Sequence, residues 1–305
     1  MSPDGTLSIG DLAARARTTV KTIRFYSDQG LLPEAARSGG GHRRYGPDAL
    51  ARLRTIRSLR ALDVPVPEIK RVLESGDGSG LDDGLEAVVA RRLDDIGGQL
   101  AALRWREAAL RALQDGEPGR LAERLELIGA VSVPPDTSAI AHYWRRLLPA
   151  RLSARLRTAI TEAAVPQPPA DPTPDQVLAF ARVHALATDA TDHCLAGHRP
   201  ATEAHPDLLY DGLYEAHRLV EAAVRAGRAP GPGEALDCYA AAYARAAATR
   251  DTPAFRQALA ARLAAADHPV MRRYWHLAGA LIPGLTLGAA DAWLRDALAA
   301  DTATG

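Results

Sequence analysis

The fold of the N-terminal part is decided by residues 7–32, which read LSIGDLAARARTTVKTIRFYSDQGLL. Ser8 is suited to cap a first helix, and Asp11 three residues later comes close to a capping box. A short turn then leads to a second helix over residues 19–29, which ends at Gly30. Two short helices joined by a tight turn are the plan of a helix-turn-helix.

Outward from this motif, the chain continues with a hairpin and two more helices. Residues 38–46, SGGGHRRYG, predict a hairpin with a glycine-rich tip. Pro47 suits the first turn of a third helix that runs to about Leu62, and Pro67 begins a fourth that ends near Glu74. The sequence therefore predicts a winged helix-turn-helix domain over residues 1–75.

One long helix is predicted over residues 81–113, after a Gly/Ser-rich break. Apolar residues recur along it on alternating four- and three-residue steps, with Glu107 as the one polar exception. They are Val89, Leu93, Ile96, Leu100, Leu103 and Leu110. Such steps are typical of a coiled-coil seam between two chains, parallel or antiparallel. A helix packed on its own domain's core shows the same stripe, and the glycine pair 97–98 weakens the helix, so both alternatives stay open.

The remainder is rich in alanine and lacks the alternating pattern of strands, so it is predicted to be helical throughout. The expected organisation is the winged helix-turn-helix domain over 1–75, a linker and dimerisation helix over 76–113, and an all-helical domain over 114–305. The chain as a whole is mainly α. A proline-rich run at 165–174 either divides the last region into two domains or crosses a single one as a rigid loop.

Charge is distributed unevenly, although the 37 basic and 37 acidic residues balance. Residues 1–75 hold 13 Lys and Arg against 8 Asp and Glu, which gives +5, so the remainder carries −5. A basic head on an acidic body indicates that the head meets a polyanion. Two cysteines exclude a disulfide framework, and neither a signal peptide nor a membrane span is expected, so the predicted location is cytoplasmic.

The N-terminal part resembles the MerR family of bacterial regulators in the order and spacing of its motifs. The resemblance is carried by residues 7–13, 19–26, 30–33, 43–45 and 66–73, and it ends near Leu113. It implies a homodimer that binds a double-stranded promoter and distorts it so that RNA polymerase can engage. It also implies that an effector bound by the C-terminal region switches this distortion, through activation or through repression.

The resemblance implies a set of DNA-binding residues on the second helix and the wing. They are Thr19, Lys21, Thr22, Arg24, Tyr26, His42, Arg43 and Arg44. Tyr45 is expected to pack between wing and helix. Family members commonly have tyrosine where this chain has Phe25, so Phe25 is expected either in the core or in an apolar contact with a base.

The effector is expected to be a small organic molecule, because the loop after the long helix lacks the cysteines of metal-sensing relatives. A cluster of Asp189, His193, Cys194 and His198 is better explained as surface residues than as a metal site, so neither metal nor cofactor is predicted. The residues suited to an organic pocket are clustered rings. They are Tyr143, Trp144, Tyr210, Tyr214, His217, Tyr239, Tyr243, Tyr274 and Trp275.

The sequence leaves two other roles for the C-terminal region. It can be a protein-interaction or oligomerisation module without a small ligand, which exposed apolar residues would favour. It can also be an enzyme, but the sequence contains no glycine-rich phosphate loop, nucleophile elbow or paired His–Glu metal motif. The prediction is therefore a ligand-responsive regulator that is not an enzyme.

Overall fold

The computed structural model describes residues 5–74, 80–116, 119–189, 205–266 and 268–303, with the side chains of 80–82 excepted, and the chain is mainly helical. It divides into two compact units, Met1–Gln99 and Leu100–Gly305. Among the described residues, no helix is both long enough and apolar enough to cross a membrane. His193, Cys194 and His198, weighed above as metal ligands, lie outside the described residues.

The first unit combines short helices with a three-stranded sheet. Its elements are β1 (Leu7–Ser8), α1 (Ile9–Arg15), α2 (Val20–Asp28), β2 (Ala36–Arg37), β3 (Arg43–Tyr45), α3 (Ala49–Ala61) and α4 (Val66–Glu74). The third helix begins at Ala49, two residues after the predicted start at Pro47. The predicted helix-turn-helix, wing and two following helices are confirmed in this order.

The wing is an antiparallel sheet in the strand order β1-β3-β2. Arg44 lies opposite Ser8 on one side and Ala36 on the other. Between β2 and β3 the chain turns through Gly41, whose φ of 77° lies in the left-handed region that glycine adopts without strain. Because β1 immediately precedes α1, the sheet ties the wing to the start of the helix-turn-helix.

The core of the first unit lies beneath α1, α2 and α3. Leu12, Ile23 and Leu53 are fully buried there, one from each of these helices. Val88, from the long helix that follows, completes the same core. Burial of several such side chains at about 1.5–3 kcal/mol each is what fixes the exposed face of α2.

The long helix α5 (Gly80–Gln114) is confirmed and crosses the division between the units at Gln99. Its buried apolar residues fall into two separate sets. Val88 belongs to the core of the first unit, while Trp105 and Ala108 belong to a core of the second unit. The six predicted seam residues lie elsewhere on the helix and are between 38% and 67% exposed. The seam is therefore not the face that packs on the chain's own cores.

The second unit adds nine helices among the described residues. They are α6 (Leu121–Gly129), α7 (Ser138–Leu147), α8 (Ala154–Ala164), α9 (Pro174–Thr188), α10 (Pro206–Arg225), α11 (Glu234–Ala246), α12 (Pro253–Ala265), α13 (Pro269–Gly279) and α14 (Leu287–Ala303). Four of these helices begin with proline, which suits a first turn because its missing N–H has no partner there. The prediction of an all-helical region is confirmed for the described residues.

The two larger clusters of buried side chains in the second unit are built from different sets of helices. One is built from α5, α7, α9 and α13 and contains Phe180 and Ile140, both fully buried. The other is built from α10, α11, α12 and α14 around Leu236 and Leu294. At Gly212 helix α10 passes so close to α11 that a β-carbon would overlap Ala242, so a side chain there would force the two helices apart.

Candidate functional site

Helix α1 begins with the predicted capping box. The Ser8 hydroxyl donates to Asp11 Oδ2 at 2.7 Å, and the Asp11 backbone N–H donates to Ser8 Oγ at 3.1 Å. The hydrogen bond from the Ser8 hydroxyl is the main reason that the pKa of Asp11 is lowered. The cap fixes where α1 starts and, through the turn, where α2 starts.

Helix α2 is capped by Thr19, a predicted DNA-binding residue. Thr19 Oγ1 accepts from the Thr22 backbone N–H at 3.1 Å and lies 2.8 Å from Thr22 Oγ1. Lys21 and Arg24 are exposed on the face opposite the core. The structure therefore brings four of the predicted residues to the start and the outer face of one helix.

The two aromatic residues of α2 have opposite environments. Tyr26 is buried, with 8% of its surface exposed, and it is part of the core. Phe25 is 48% exposed, so the expectation that it lies in the core is wrong and the apolar-contact alternative remains. The DNA contact predicted for Tyr26 stays a prediction, and burial leaves only a small part of its surface available for it.

The wing presents His42 to solvent at its tip, whereas Arg44 is half-buried in the middle of the sheet. Arg43 makes two ion pairs, with Asp28 Oδ1 at 2.7 Å and with Glu34 Oε1 at 2.8 Å. The hydrogen bond to Asp28 is the main reason that the pKa of Arg43 is raised. Arg43 thus joins the wing to the end of α2.

Further interactions of the first unit were not foreseen from the sequence. The Tyr45 hydroxyl lies 2.8 Å from Ser27 Oγ, which adds a polar link to the packing role expected for Tyr45. Arg57 donates to the carbonyl of Ala16 and so supports the turn between α1 and α2. The turn includes Arg17 at a φ of 49°, a conformation that costs a non-glycine residue about 1–2 kcal/mol.

A cavity of about 240 Å³ lies in the second unit between α7, α8, α10, α13 and α14. Five of the nine rings predicted for an effector site line it, namely Trp144, Tyr210, Tyr214, His217 and Trp275. Apart from Asp291 and Gly288, the rest of the lining is aliphatic, with Ala159, Ile160 and Ala163 from α8 among its members. Residues from five helices are therefore brought together although they are far apart in sequence.

Four of the predicted rings do not line the cavity, because they pack against other side chains. Tyr274 accepts a hydrogen bond from Trp144 Nε1 at 2.8 Å and donates to the Ala164 carbonyl at 2.6 Å. Tyr143 stacks on Tyr274 with ring centroids 6.1 Å apart. Tyr239 and Tyr243 form an edge-to-face pair 5.1 Å apart. These four rings pack behind the side chains that line the cavity.

The polar end of the cavity is formed by His217 and Asp291. His217 Nε2 is buried without a hydrogen-bond partner among the described residues, and burial lowers the pKa of this histidine. Asp291 accepts from the Tyr239 hydroxyl at 3.1 Å and from Arg295 Nε at 2.6 Å, so its charge is already paired. Asp291 was missed from the sequence, because nothing near it in the chain marks it as a pocket residue.

Gly288 lets the indole ring of Trp275 lie directly against the backbone of α14. A β-carbon at this position would overlap the indole ring of Trp275, so the ring lies against the helix backbone only because residue 288 has no side chain. Trp275 in turn lies 5.3 Å from Trp144, ring centroid to ring centroid. Within the described residues, no group of three His, Cys, Asp or Glu side chains is arranged to hold a metal ion.

A capped helix-turn-helix followed by a small antiparallel wing defines the winged helix-turn-helix class of DNA-binding domain. Residues 7–76 match the family described as MerR HTH family regulatory protein. The mercuric resistance operon regulatory protein of Serratia marcescens is 34% identical over 107 residues, which are 35% of this chain and 74% of that protein. The chain belongs to the MerR family of transcriptional regulators.

Two other relatives share a smaller part. The HTH-type transcriptional regulator ZntR homolog of Haemophilus influenzae is 41% identical over 73 residues, covering 24% of this chain and 54% of its own. The HTH-type transcriptional activator TipA of Streptomyces coelicolor is 42% identical over 67 residues, covering 22% and 26%. A crystal structure of HiNmlR, a MerR family regulator lacking the sensor domain and bound to promoter DNA, covers 35% of this chain and 90% of its own at 24% identity and a TM-score of 0.24.

Proposed function

We propose that the protein is a dimeric regulator that binds promoter DNA through its first unit and a small organic effector through its second. The observation that carries the DNA-binding part is the family match over residues 7–76, together with the exposed, cationic face of α2. The proposed functional division is 1–75 for DNA, 76–113 for dimerisation and 114–305 for the effector. The role requires no catalysis and places the protein in the cytoplasm.

In this proposal α2 enters the major groove, where the edges of the base pairs are distinguishable. Lys21 and Arg24 supply positive charge, while Thr19 and Thr22 supply hydroxyls at the start of the helix. Phe25, exposed beside Arg24, is suited to an apolar contact with a thymine methyl group. His42 at the tip of the wing reaches the neighbouring backbone, and phosphate contacts of this kind fix the register without reading sequence.

Dimerisation is supported by the exposed stripe on α5. Seam residues such as Leu93 and Leu110 are exposed although they are apolar, and they recur with the spacing of a coiled coil. A second copy of α5 is the partner that this spacing fits. Two reading helices held by one dimer then bind two half-sites of a palindromic promoter. The distortion of that promoter and the engagement of RNA polymerase are part of the proposal.

The effector role of the second unit is supported by the cavity. It is lined mainly by aromatic and aliphatic side chains, with a few polar groups at one end, as is typical of sites for small organic molecules. Its position within one unit, away from the reading helix in sequence, is consistent with a separate sensory part. An effector that binds the two states of the protein differently shifts the balance between them.

A protein partner is the alternative occupant of the second unit. Leu121 and Leu125 lie one turn apart on α6, and each is 56% exposed. Exposed apolar residues at this spacing are typical of a face that packs on another helix. If α6 binds a protein, Leu121→Ser with Leu125→Ser abolishes that binding and leaves the cavity and the DNA affinity unchanged.

The DNA-binding proposal is tested by selection from a pool of random duplexes with the full-length protein. We expect repeated rounds to enrich a palindromic sequence whose two halves are read by two protomers. Footprinting of the enriched duplex locates the protected bases and reveals any distortion between the half-sites. A pool that stays unenriched at low salt contradicts the proposal.

A further inference from the structure

The size of the cavity limits what it can hold. An apolar cavity of about 150 Å³ accommodates benzene, whose six carbon atoms fill it. By the same measure the cavity of about 240 Å³ accommodates a ligand of about ten non-hydrogen atoms. This is the size of two fused aromatic rings with one substituent.

The side chains that line the cavity favour a flat, aromatic ligand. Trp144 and Trp275 contribute two indole rings 5.3 Å apart, and Tyr210 and Tyr214 contribute phenol rings from α10. Aromatic side chains prefer stacked or edge-to-face contacts with other rings, which give energy beyond the buried area. Ile160 and its aliphatic neighbours close the wall along α8 and offer no polar contact.

Charge at the polar end disfavours an ionic ligand. The Asp291 carboxylate is paired with the Arg295 guanidinium at 2.6 Å, so a cationic ligand finds no unpaired negative charge. An anionic ligand meets the Asp291 carboxylate itself. His217, which burial holds in its neutral form, adds no charge of either sign.

His217 Nε2 defines the polar group that the ligand needs. This nitrogen is buried and has no hydrogen-bond partner in the part of the chain that the structure describes. A neutral imidazole nitrogen is either a donor or an acceptor, according to the tautomer. A hydroxyl group both donates and accepts, so it satisfies Nε2 in either tautomer.

We propose that the cavity binds an uncharged hydroxyaromatic compound of about ten non-hydrogen atoms, whose hydroxyl bonds to His217 Nε2 and whose rings lie between the aromatic walls. The inference rests on the proposed function, because it names the chemical class of the effector at the same site.

The test uses the full-length protein and four probes that share the naphthalene ring system and differ in their substituent, which are 2-naphthol, naphthalene, 2-naphthoate and 2-naphthylmethylammonium. Binding is measured by calorimetry, and by quenching of tryptophan fluorescence as a second readout. We expect 2-naphthol to bind at least tenfold more tightly than each of the other three. Equal affinity of naphthalene and 2-naphthol overturns the role of the hydroxyl, and tighter binding of either ion overturns the charge argument.

Variants locate the site. Gly288→Ala displaces the Trp275 ring from its place in the cavity lining, and Ala159→Phe fills the cavity from α8, so both are expected to reduce 2-naphthol binding at least tenfold. His217→Leu is expected to reduce the affinity for 2-naphthol to that for naphthalene. Ala292→Phe, an exposed position of α14 outside the cavity lining, is the matched control and keeps full affinity. Circular dichroism establishes that each variant is folded, and unchanged binding by folded Gly288→Ala and Ala159→Phe overturns the assignment.

DNA binding by the same samples separates this inference from the function on which it rests. Binding to a duplex enriched from the random pool is measured with and without 2-naphthol. A protein that binds the duplex but none of the four probes overturns the ligand class and leaves the regulator intact. Binding of 2-naphthol with no change in DNA affinity or distortion supports the ligand class and contradicts the effector role.

Discussion

Arginine side chains of the first unit serve two purposes that composition does not distinguish. Arg43 is paired with two carboxylates, and Arg57 donates to a backbone carbonyl of the helix-turn-helix. Arg24 instead points to solvent from the outer face of α2. An excess of basic residues in the sequence therefore overstates the charge available to DNA. The partners of Arg43 and Arg57 lie at least 9 and up to 41 positions away in the chain, which is why spacing did not reveal them.

Replacement of Arg24 is expected to weaken DNA binding without loss of stability. Arg24→Ala removes an exposed positive charge, so affinity falls for every duplex, and the slope of log affinity against log salt falls by about 0.9 per lost phosphate contact. Fluorescence anisotropy over a range of salt concentrations measures both quantities. Arg228→Ala, an exposed arginine of the second unit, is the control. If Arg24→Ala has the same salt dependence of affinity as the wild type, Arg24 does not contact DNA phosphates.

His217 is expected to make folding sensitive to acid. Burial lowers its pKa in the folded protein, so the unfolded chain binds the proton more readily. The unfolding free energy therefore falls as the pH decreases through the ordinary histidine range, below about 6.5. Asp291 opposes the shift but does not reverse it.

The measurement is urea denaturation of the wild type and of His217→Gln at several values on both sides of that range. We expect the variant to lose less stability than the wild type on acidification, because glutamine does not titrate. Identical losses in the two proteins would show that other groups account for the acid sensitivity.

At the scale of the element, caps and turns were predictable because their partners are close in sequence. The Ser8–Asp11 capping box and the glycine turn of the wing both followed from spacing alone. The roles of the two faces of α5 could not be predicted in this way, because a stripe of apolar residues has the same spacing in a core and in a coiled-coil seam. The structure separates them, since Trp105 packs inward while seam residues such as Leu93 stay exposed.

A charge placed in the seam is expected to dissociate the dimer. Leu93→Glu sets two carboxylates against each other, or against apolar side chains, at the interface that α5 is proposed to form. Analytical ultracentrifugation is expected to show a monomer for this variant. Gly98→Glu adds the same charge on the far face of the helix, where a β-carbon meets nothing, and remains a dimer. If both variants form dimers equally well, the dimer interface does not involve the seam of α5.

At the scale of the molecule, the fold of the first unit was predictable from the sequence, but the cavity of the second unit was not. Five of nine chosen rings line the cavity, but the choice rested on residue type, and Tyr143 and Tyr274 are equally aromatic core residues. Gly288 and Asp291 reach the site only through the packing of α14 on its neighbours. A cavity is a property of how helices approach one another, and no local pattern encodes it.

The separate cores of the two units predict separate unfolding transitions. Ile56 is fully buried in the first unit, and Leu294 is fully buried in the second. Ile56→Ala is expected to lower one calorimetric transition, and Leu294→Ala the other, each with a loss of about 2–5 kcal/mol in its own unit. A single transition that both variants lower to the same extent would show that the units unfold together.

The position of the Trp275 ring in the cavity lining depends on Gly288, because every other amino acid carries a β-carbon at this place. Glycine and alanine codons differ by one base, so a single point mutation is enough to place a β-carbon where the Trp275 ring lies. In evolutionary terms, the proposed effector site predicts that a lineage can lose its response through this one mutation while it keeps its DNA-binding unit, and that it can regain the response by reversion. In a reporter built from this protein, Gly288→Ala is expected to serve as the variant that does not respond to the ligand.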